Sequence, residues 1–288
     1  MSRPIVSAAA LFVLLASTEA ASAAEWVPRG MGNRVVGEID WLPGDWEHVV
    51  AMGIAAQVRI DRTVFLDLDF PSVIETPNSD ENEFSKTEVT FGNPTIGVHW
   101  ANLLSDKLAM HAGGTATVAT LVNGCNTPFD CSDSTAGTRF DGADTRAFAD
   151  FHRFFPEYVF LRARTGVDLR ILPEFYYRAE LVSMVAIPLG KLFDTVEYFT
   201  EIHNEIEVRA SFGIGGGIHL QAVFNTDQSE EVTLNDTAQL AAEPYVSYDP
   251  GRGFYARVGC LVALDEPLGF GLDKDKVATL RVTLGGRW

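Results

Sequence analysis

From residue 33 to the final tryptophan the chain repeats one pattern, segments of about ten residues in which every second side chain is apolar. Residues 158–171 carry Val159, Leu161, Ala163, Thr165, Val167, Leu169 and Ile171 on one phase, and Phe160, Arg162, Arg164, Gly166, Asp168 and Arg170 on the other. A period of two belongs to β-strands, whose successive side chains point to opposite faces. The pattern recurs about twelve times, at the spacing of a membrane barrel. The expected strands are 33–41, 46–60, 63–71, 88–101, 107–121, 158–171, 175–188, 193–202, 205–224, 239–249, 253–265 and 277–288. No alternation of helices with strands appears.

A soluble β-sandwich alternates too, with its apolar face packed inside and its edges in need of protection. Here the polar face is too charged for an ordinary solvent side. The stretch 205–224 holds its phase from Ile206 and Val208 to Ala222 and Phe224, far beyond the roughly six residues of a sandwich strand. The connections point the same way. Breaks after even-numbered strands are short: "DR" at 61–62, "SDK" at 105–107, "LPE" at 172–174, "HN" at 203–204 and "PGR" at 250–252. Most of the others are long and acidic, at 75–86, 122–157, 225–237 and 266–276. Short turns on one side and long loops on the other, with apolar bands facing out, describe an all-β, transmembrane, antiparallel up-and-down β-barrel of about twelve strands. An even strand count puts both chain ends on the short-turn side, the periplasm.

The first residues fit an exported protein. "MSRPIVSAAALFVLLASTEAASA" has a basic start, a short apolar stretch and small residues before a cut expected after Ala23. The apolar stretch is too short to span a bilayer. Residues 1–23 therefore read as a signal peptide and 24–288 as a single outer-membrane barrel domain. A formal charge of −17 argues against nucleic acid as a partner, since that needs basic patches.

The last strand, "TLRVTLGGRW", resembles the C-terminal signature of bacterial outer-membrane β-barrel proteins, whose closing strand ends in an aromatic residue. Trp288 stands where phenylalanine is commonest. The resemblance implies that this strand is read by the barrel assembly machinery and then pairs with the first strand. It also implies a location in the bacterial outer membrane, among outer-membrane lipid and lipopolysaccharide. "FGNPTIGVHW" (91–100) and "RGFYARVGCLVALDEPLG" (252–269) are similar to segments of porin- or transporter-like barrels.

Twelve tilted strands make a cylinder about 24 Å across, and inward side chains would leave a gap of about 10 Å. The polar phase sends Asp67, Asp69, Asp168, Glu180, Glu197, Glu201, Glu205, Glu207 and Glu243 inward, with Arg59, Arg162, Arg164, Arg170, Arg178, Arg209, Arg257 and Arg281. The arginines of 158–171 and Arg178 would neighbour the acids of 193–207. Such patches either make a transverse field that orients charged solutes or pair across strands and stiffen the wall. His99, His111 and His219 share the inward phase, while His203 falls in an expected turn. No HxH or ExxH spacing suggests a metal site, so neither metal nor cofactor is expected. A barrel hydrolase would place His, one residue, then Ser on one face. Here His219 is followed at that spacing by Gln221, His99 by Ala101 and His111 by Gly113. "GIGGGI" (213–218) lies inside a strand pattern with no helix after it, so it reads as relief of crowding or a bend in the wall, not as a phosphate loop.

Cys125 and Cys131 sit in the longest external loop, where an oxidising compartment permits a disulfide, and Cys260 falls on the lipid phase. Farther along that loop, Phe148, Phe151 and Phe155 recur at helical spacing before Pro156. A short helix there could constrict the lumen, lie at the membrane interface, or cover the loop itself. The acidic loop residues, among them Asp80, Glu81, Glu231 and Asp236, read as solvated charge. The expected function is passive or gated diffusion of small polar or charged solutes, selected by the lumen Arg, Asp and Glu side chains. The alternatives are a non-transporting structural or adhesive barrel closed by ion pairs and, behind it, a lipid hydrolase.

Overall fold

A strand that is apolar on one face and charged on the other can sit in a bilayer only if its backbone is paired on both sides and its charges turn inward. In the computed structural model the strands meet both conditions. The structure describes residues 26–43, 47–77, 87–120, 125–127, 130–131, 142–143, 145, 150–189, 195–225, 238–264 and 278–288. The expected signal peptide and the acidic loop residues lie outside them, as does Phe148.

The wall strands are β1 (Arg34–Pro43), β2 (Glu47–Arg59), β3 (Val64–Pro77), β4 (Glu88–Phe91 and Thr95–Leu103), β5 (Leu108–Thr117), β6 (Tyr158–Leu172), β7 (Phe175–Pro188), β8 (Glu197–Arg209), β9 (Ile214–Asn225), β10 (Ala238–Tyr248), β11 (Gly253–Ala263) and β12 (Ala278–Arg287). Each pairs antiparallel with its neighbours in chain order, and β1 pairs with β12 from Arg34↔Arg287 to Trp41↔Leu280. The sheet is thus closed, with Glu88–Phe91 paired only on the β3 side among the described residues. Trp288 completes the seam: its N–H donates to the Asn33 carbonyl (3.0 Å) and its carbonyl accepts from the Asn33 N–H (3.1 Å). Cys125 and Cys131 face each other in a small separate ladder; their side chains lie outside the described residues.

The outer wall is apolar, with Ile54, Val58, Phe70, Ile96, Val98, Leu161, Val208, Leu220 and Val246 all exposed, and Cys260 among them. The inner wall buries Gln57, His99, Asp168, Glu201, Glu205, Glu207, Arg209, Glu243 and Arg281. No helix among the described residues is long and apolar enough to cross a membrane; the strands do the crossing.

Three features depart from the sequence reading. The turn expected at 203–204 does not exist: β8 runs to Arg209, the turn is at 210–213, and the stretch 205–224 divides into β8 and β9. Four residues of turn preserve the parity of the alternation, so period two passes through them unbroken. Gly213, at φ +96°, takes the left-handed conformation that the turn requires. The second departure is in β4, where Gly92–Pro94 interrupt the strand. Third, the helical spacing of the phenylalanines yields one 3-10 turn, Phe151–Arg153.

Ile54 stands on the lipid face, 61% exposed, midway along β2. Ile54→Arg is expected to destabilise the barrel by about 2–4 kcal/mol, read from urea unfolding in liposomes. A cost near zero would mean that this face does not meet lipid.

Candidate functional site

The lumen is occupied from both ends by chain that is not wall. At the short-turn end, residues 26–33 fold back inside the barrel. The Arg29 backbone N–H donates to Asp168 Oδ2 (3.0 Å), His99 Nε2 donates to the Gly30 carbonyl (2.8 Å), and Gln57 Nε2 donates to the Gly32 carbonyl (2.8 Å). At the long-loop end, residues 150–157 dip into the lumen. Phe151, Phe154 and Tyr158 pack with Val49, Ala51, Val73, Phe160, Met184, Ala186 and Val223 of the wall in one buried apolar layer. The bends on either side are sharp, because Asp150 (φ 58°) and Glu157 (φ 63°) both adopt left-handed conformations.

The break in β4 holds this second segment. Asn93, fully buried, donates its backbone N–H to the Arg153 carbonyl (2.6 Å) and its Nδ2 to the carbonyls of His152 (3.1 Å) and Phe155 (2.7 Å). Arg153 reaches across the lumen to Glu38 Oε1 (3.0 Å) and Asp69 Oδ1 (2.9 Å). Its guanidinium fills the place where a side chain at Gly53 would stand.

Between the two segments lie connected layers of charge. Arg162 donates to His152 Nε2 (2.8 Å), Glu201 (3.0 Å) and Asp150 (3.5 Å). Asp150, His152 and Glu201 bring three potential metal-ligand atoms within 4.8 Å of one another, and the Arg162 guanidinium already serves all three. Arg164 and His99 Nδ1 share Asp67 Oδ2, each at 2.6 Å. His111 Nε2 meets Glu180 at 2.8 Å, and the rings of His203 and His219 stack at 5.4 Å. Arg281 bridges Asp40 (2.7 Å) and Glu243 (2.9 Å), and Arg257 joins Glu243 (2.9 Å) to Glu205 (3.3 Å).

Nearer the short turns, Glu205 accepts from Arg178 Nη1 (2.9 Å) and from the Tyr245 hydroxyl (2.5 Å). Gly217 leaves the room that the Tyr245 ring takes. Arg178 also meets Asp168 (3.2 Å) and Glu207 (3.4 Å), and Arg209 joins Glu207 (2.9 Å) to Asp249 (3.1 Å). Two expected lining residues stand at the ends of the barrel: Arg170 donates to the Pro173 carbonyl (3.3 Å), and Glu197 accepts from the Tyr158 hydroxyl (2.9 Å). Arg59 is exposed at the rim over Phe65.

The sequence reading omitted Glu38, Asp40 and Arg287, although the alternation of β1 and β12 carries them inward; it placed His203 in a turn, where the structure has it inside β8. Arg29 and Arg153 had no such signal, because no expected strand covers them, and Asn93 fell within the expected strand 88–101, which the structure breaks at Gly92–Pro94. The space left inside is a cavity of about 320 Å³ next to Arg29 and a second of about 220 Å³ beneath Arg153. A hollow of about 810 Å³ also involves Ile96, Leu161 and Tyr198 of the apolar outer wall, with Arg162 among its lining residues.

No protein-family model matches the chain, and no curated protein does. Among solved structures, it is similar to an outer-membrane channel from Pseudomonas putida F1, with TM-score 0.59 and 9% identity over 92% of this chain and 98% of that one. It is also similar to the NanC porin, with TM-score 0.51 and 5% identity over 88% of this chain and 98% of that one. The likeness is one of fold, and the fold is that of bacterial outer-membrane β-barrels.

Asp249, in the turn before β11, accepts the Gly251 N–H (2.8 Å) and meets Arg209 and Arg287. Burial alone would raise its carboxyl, but Arg287 and Arg209 hold it below the usual range. Its stabilising effect is therefore full above the unfolded value near 4 and fades as pH falls through the lowered folded value. Asp249→Asn is expected to cost about 1–3 kcal/mol at pH 7 and progressively less in acid, in parallel unfolding titrations. A pH-independent difference would contradict this assignment.

Proposed function

We propose that the barrel is an outer-membrane channel for small charged solutes and that this structure is its closed state. One observation carries the reading: the segments that enter the lumen from its two ends are not wall. Residues 26–32 and 150–156 are not paired as strands in the wall; the ties described for them are side-chain contacts, the Asn93–Arg153 backbone bond and one apolar layer. With them displaced, a charged lumen remains, lined by Asp67, Arg164, Asp168, Arg178, Glu180, Glu205, Glu207 and Arg281. Facing acids and arginines would then orient a permeating ion or zwitterion. The likeness to a channel and a porin agrees with this reading.

A second reading draws on a different observation. Several pairs join wall strands to each other, as Arg281 does for Asp40 and Glu243. Such pairs would equally serve a non-transporting structural barrel. The chain's own chemistry offers the hydrolase reading no His-x-Ser face.

The Arg153 tie separates the two readings. Gly53→Ala puts a methyl group where the guanidinium lies. Losing these charge-assisted bonds, worth about 1.5–3 kcal/mol, shifts a closed–open equilibrium by about 10–100-fold. Single-channel recording in planar bilayers should show rare openings for wild type and frequent ones for Gly53→Ala, with Asn93→Ala behaving similarly. Arg164→Ala should shift the reversal potential toward cations. Silence in all these proteins, with folded barrels confirmed by heat-modifiable gel migration, would contradict the channel and favour the structural barrel.

A further inference from the structure

The chain places one of its own arginines in the cavity as a solute would lie. Arg29 belongs to no strand. Three of its segment's polar groups are met by the wall: the backbone N–H by Asp168 Oδ2 (3.0 Å), the guanidinium Nη1 by Glu205 Oε2 (3.3 Å), and the next carbonyl, of Gly30, by His99 Nε2 (2.8 Å). An amide donor, an amide acceptor and a cation at the end of a flexible stem are the features of a peptide-linked arginine. We propose that Asp168, Glu205 and His99 form a binding site for solutes carrying a guanidinium or alkylammonium group on an amide backbone, and that Arg29 occupies this site in cis.

The site does not depend on its occupant. Without Arg29, Asp168 keeps Arg178 (3.2 Å), and Glu205 keeps Arg178 (2.9 Å), Tyr245 (2.5 Å) and Arg257 (3.3 Å). His99 keeps Asp67 (2.6 Å) at Nδ1, and its ring stacks on Phe65. The acceptors are therefore held in place by wall partners, which lowers the ordering cost of binding. The Arg29 side chain is half exposed to the cavity, whereas that of Glu205 is buried. Charge count agrees. The cavity of about 320 Å³ is lined by eight carboxylates and eight arginines, and Arg29 is the one arginine among them that is not in the wall. Its departure leaves one carboxylate in excess, and an incoming cation restores the balance.

The solute class rests on the channel reading above; the test of the site does not. Nα-acetyl-L-arginine amide would be titrated calorimetrically into the full-length refolded barrel in detergent, with Nα-acetyl-L-citrulline amide as the uncharged isostere. A tethered ligand competes at an effective concentration on the order of millimolar, so Arg29→Ala should bind the arginine probe at least about ten-fold more tightly than wild type. Arg29→Lys should stay as weak as wild type, because lysine still fills the site. Adding Asp168→Asn, or Glu205→Gln should the first fail to fold, should remove most of the gain. The citrulline probe should bind none of these proteins measurably. Equal affinity of wild type and Arg29→Ala, equal binding of both probes, or a folded Arg29→Ala barrel that binds neither would overturn the site. A barrel silent in bilayers that still shows the expected binding pattern would sink the channel reading and support the site.

Discussion

Charge that cannot face lipid must face the lumen, and charge in so narrow a lumen must find a partner. That constraint organises the molecule. The outer wall is given to apolar side chains, so the carboxylates and guanidiniums of the strands converge inside. An isolated buried charge costs several kcal/mol, so the charges midway along the lumen are held by opposite charges on other strands, while Arg170 and Glu197 near the ends meet a carbonyl and a hydroxyl. The arginines of β6 and β7 meet the acids of β3 and β8, and Arg281 of β12 reaches acids on β1 and β10. The same need accounts for the two segments that fold inside, each of which brings an arginine to wall carboxylates: Arg29 to Glu205, Arg153 to Glu38 and Asp69.

The long-loop segment shows how local cost and packing gain are balanced. Two non-glycine residues in left-handed conformations cost about 1–2 kcal/mol each. Burying Phe151 and Phe154 returns about 1.5–3 kcal/mol apiece, and the Asn93 and Arg153 contacts add to it. Packing therefore outweighs strain, and on the closed-channel reading that margin sets how readily the segment opens.

The architecture was legible because period two is a property of sequence alone. The lipid and lumen phases differ by charge, and the alternation slips by one residue across Gly92–Pro94, from Val89 and Phe91 to Ile96 and Val98. The closing role of the Trp288 strand is what its resemblance to outer-membrane barrel C-termini implies, whereas the strand count and the long and short connections follow from that alternation. It failed where parity is blind. The 210–213 turn, four residues long, hands β9 the same phase as β8, and the polar pair His203–Asn204 inside β8 imitated a turn instead. The interruption at Gly92–Pro94 had its signal in "GNP", but the alternation on either side masked it. Cylinder geometry, which counts only wall residues, allows a gap of about 10 Å and leaves open whether it is filled. Arg29, Arg153 and Asn93 fill or clamp that space from outside any strand; the phenylalanine spacing offers a lumen constriction as one of three placements for its loop, but nothing in the sequence singles out these three residues.

Native-state hydrogen–deuterium exchange of the barrel in nanodiscs tests the central claim most directly. If residues 150–157 form a gate, the amides of Asn93, Arg153, Phe154 and Phe155 exchange through a local opening of much lower free energy than that of β6 and β7, while the strand amides stay protected. If those four amides exchange only as slowly as the wall strands beside them, the segment is a fixed part of the barrel and the closed-channel account is wrong.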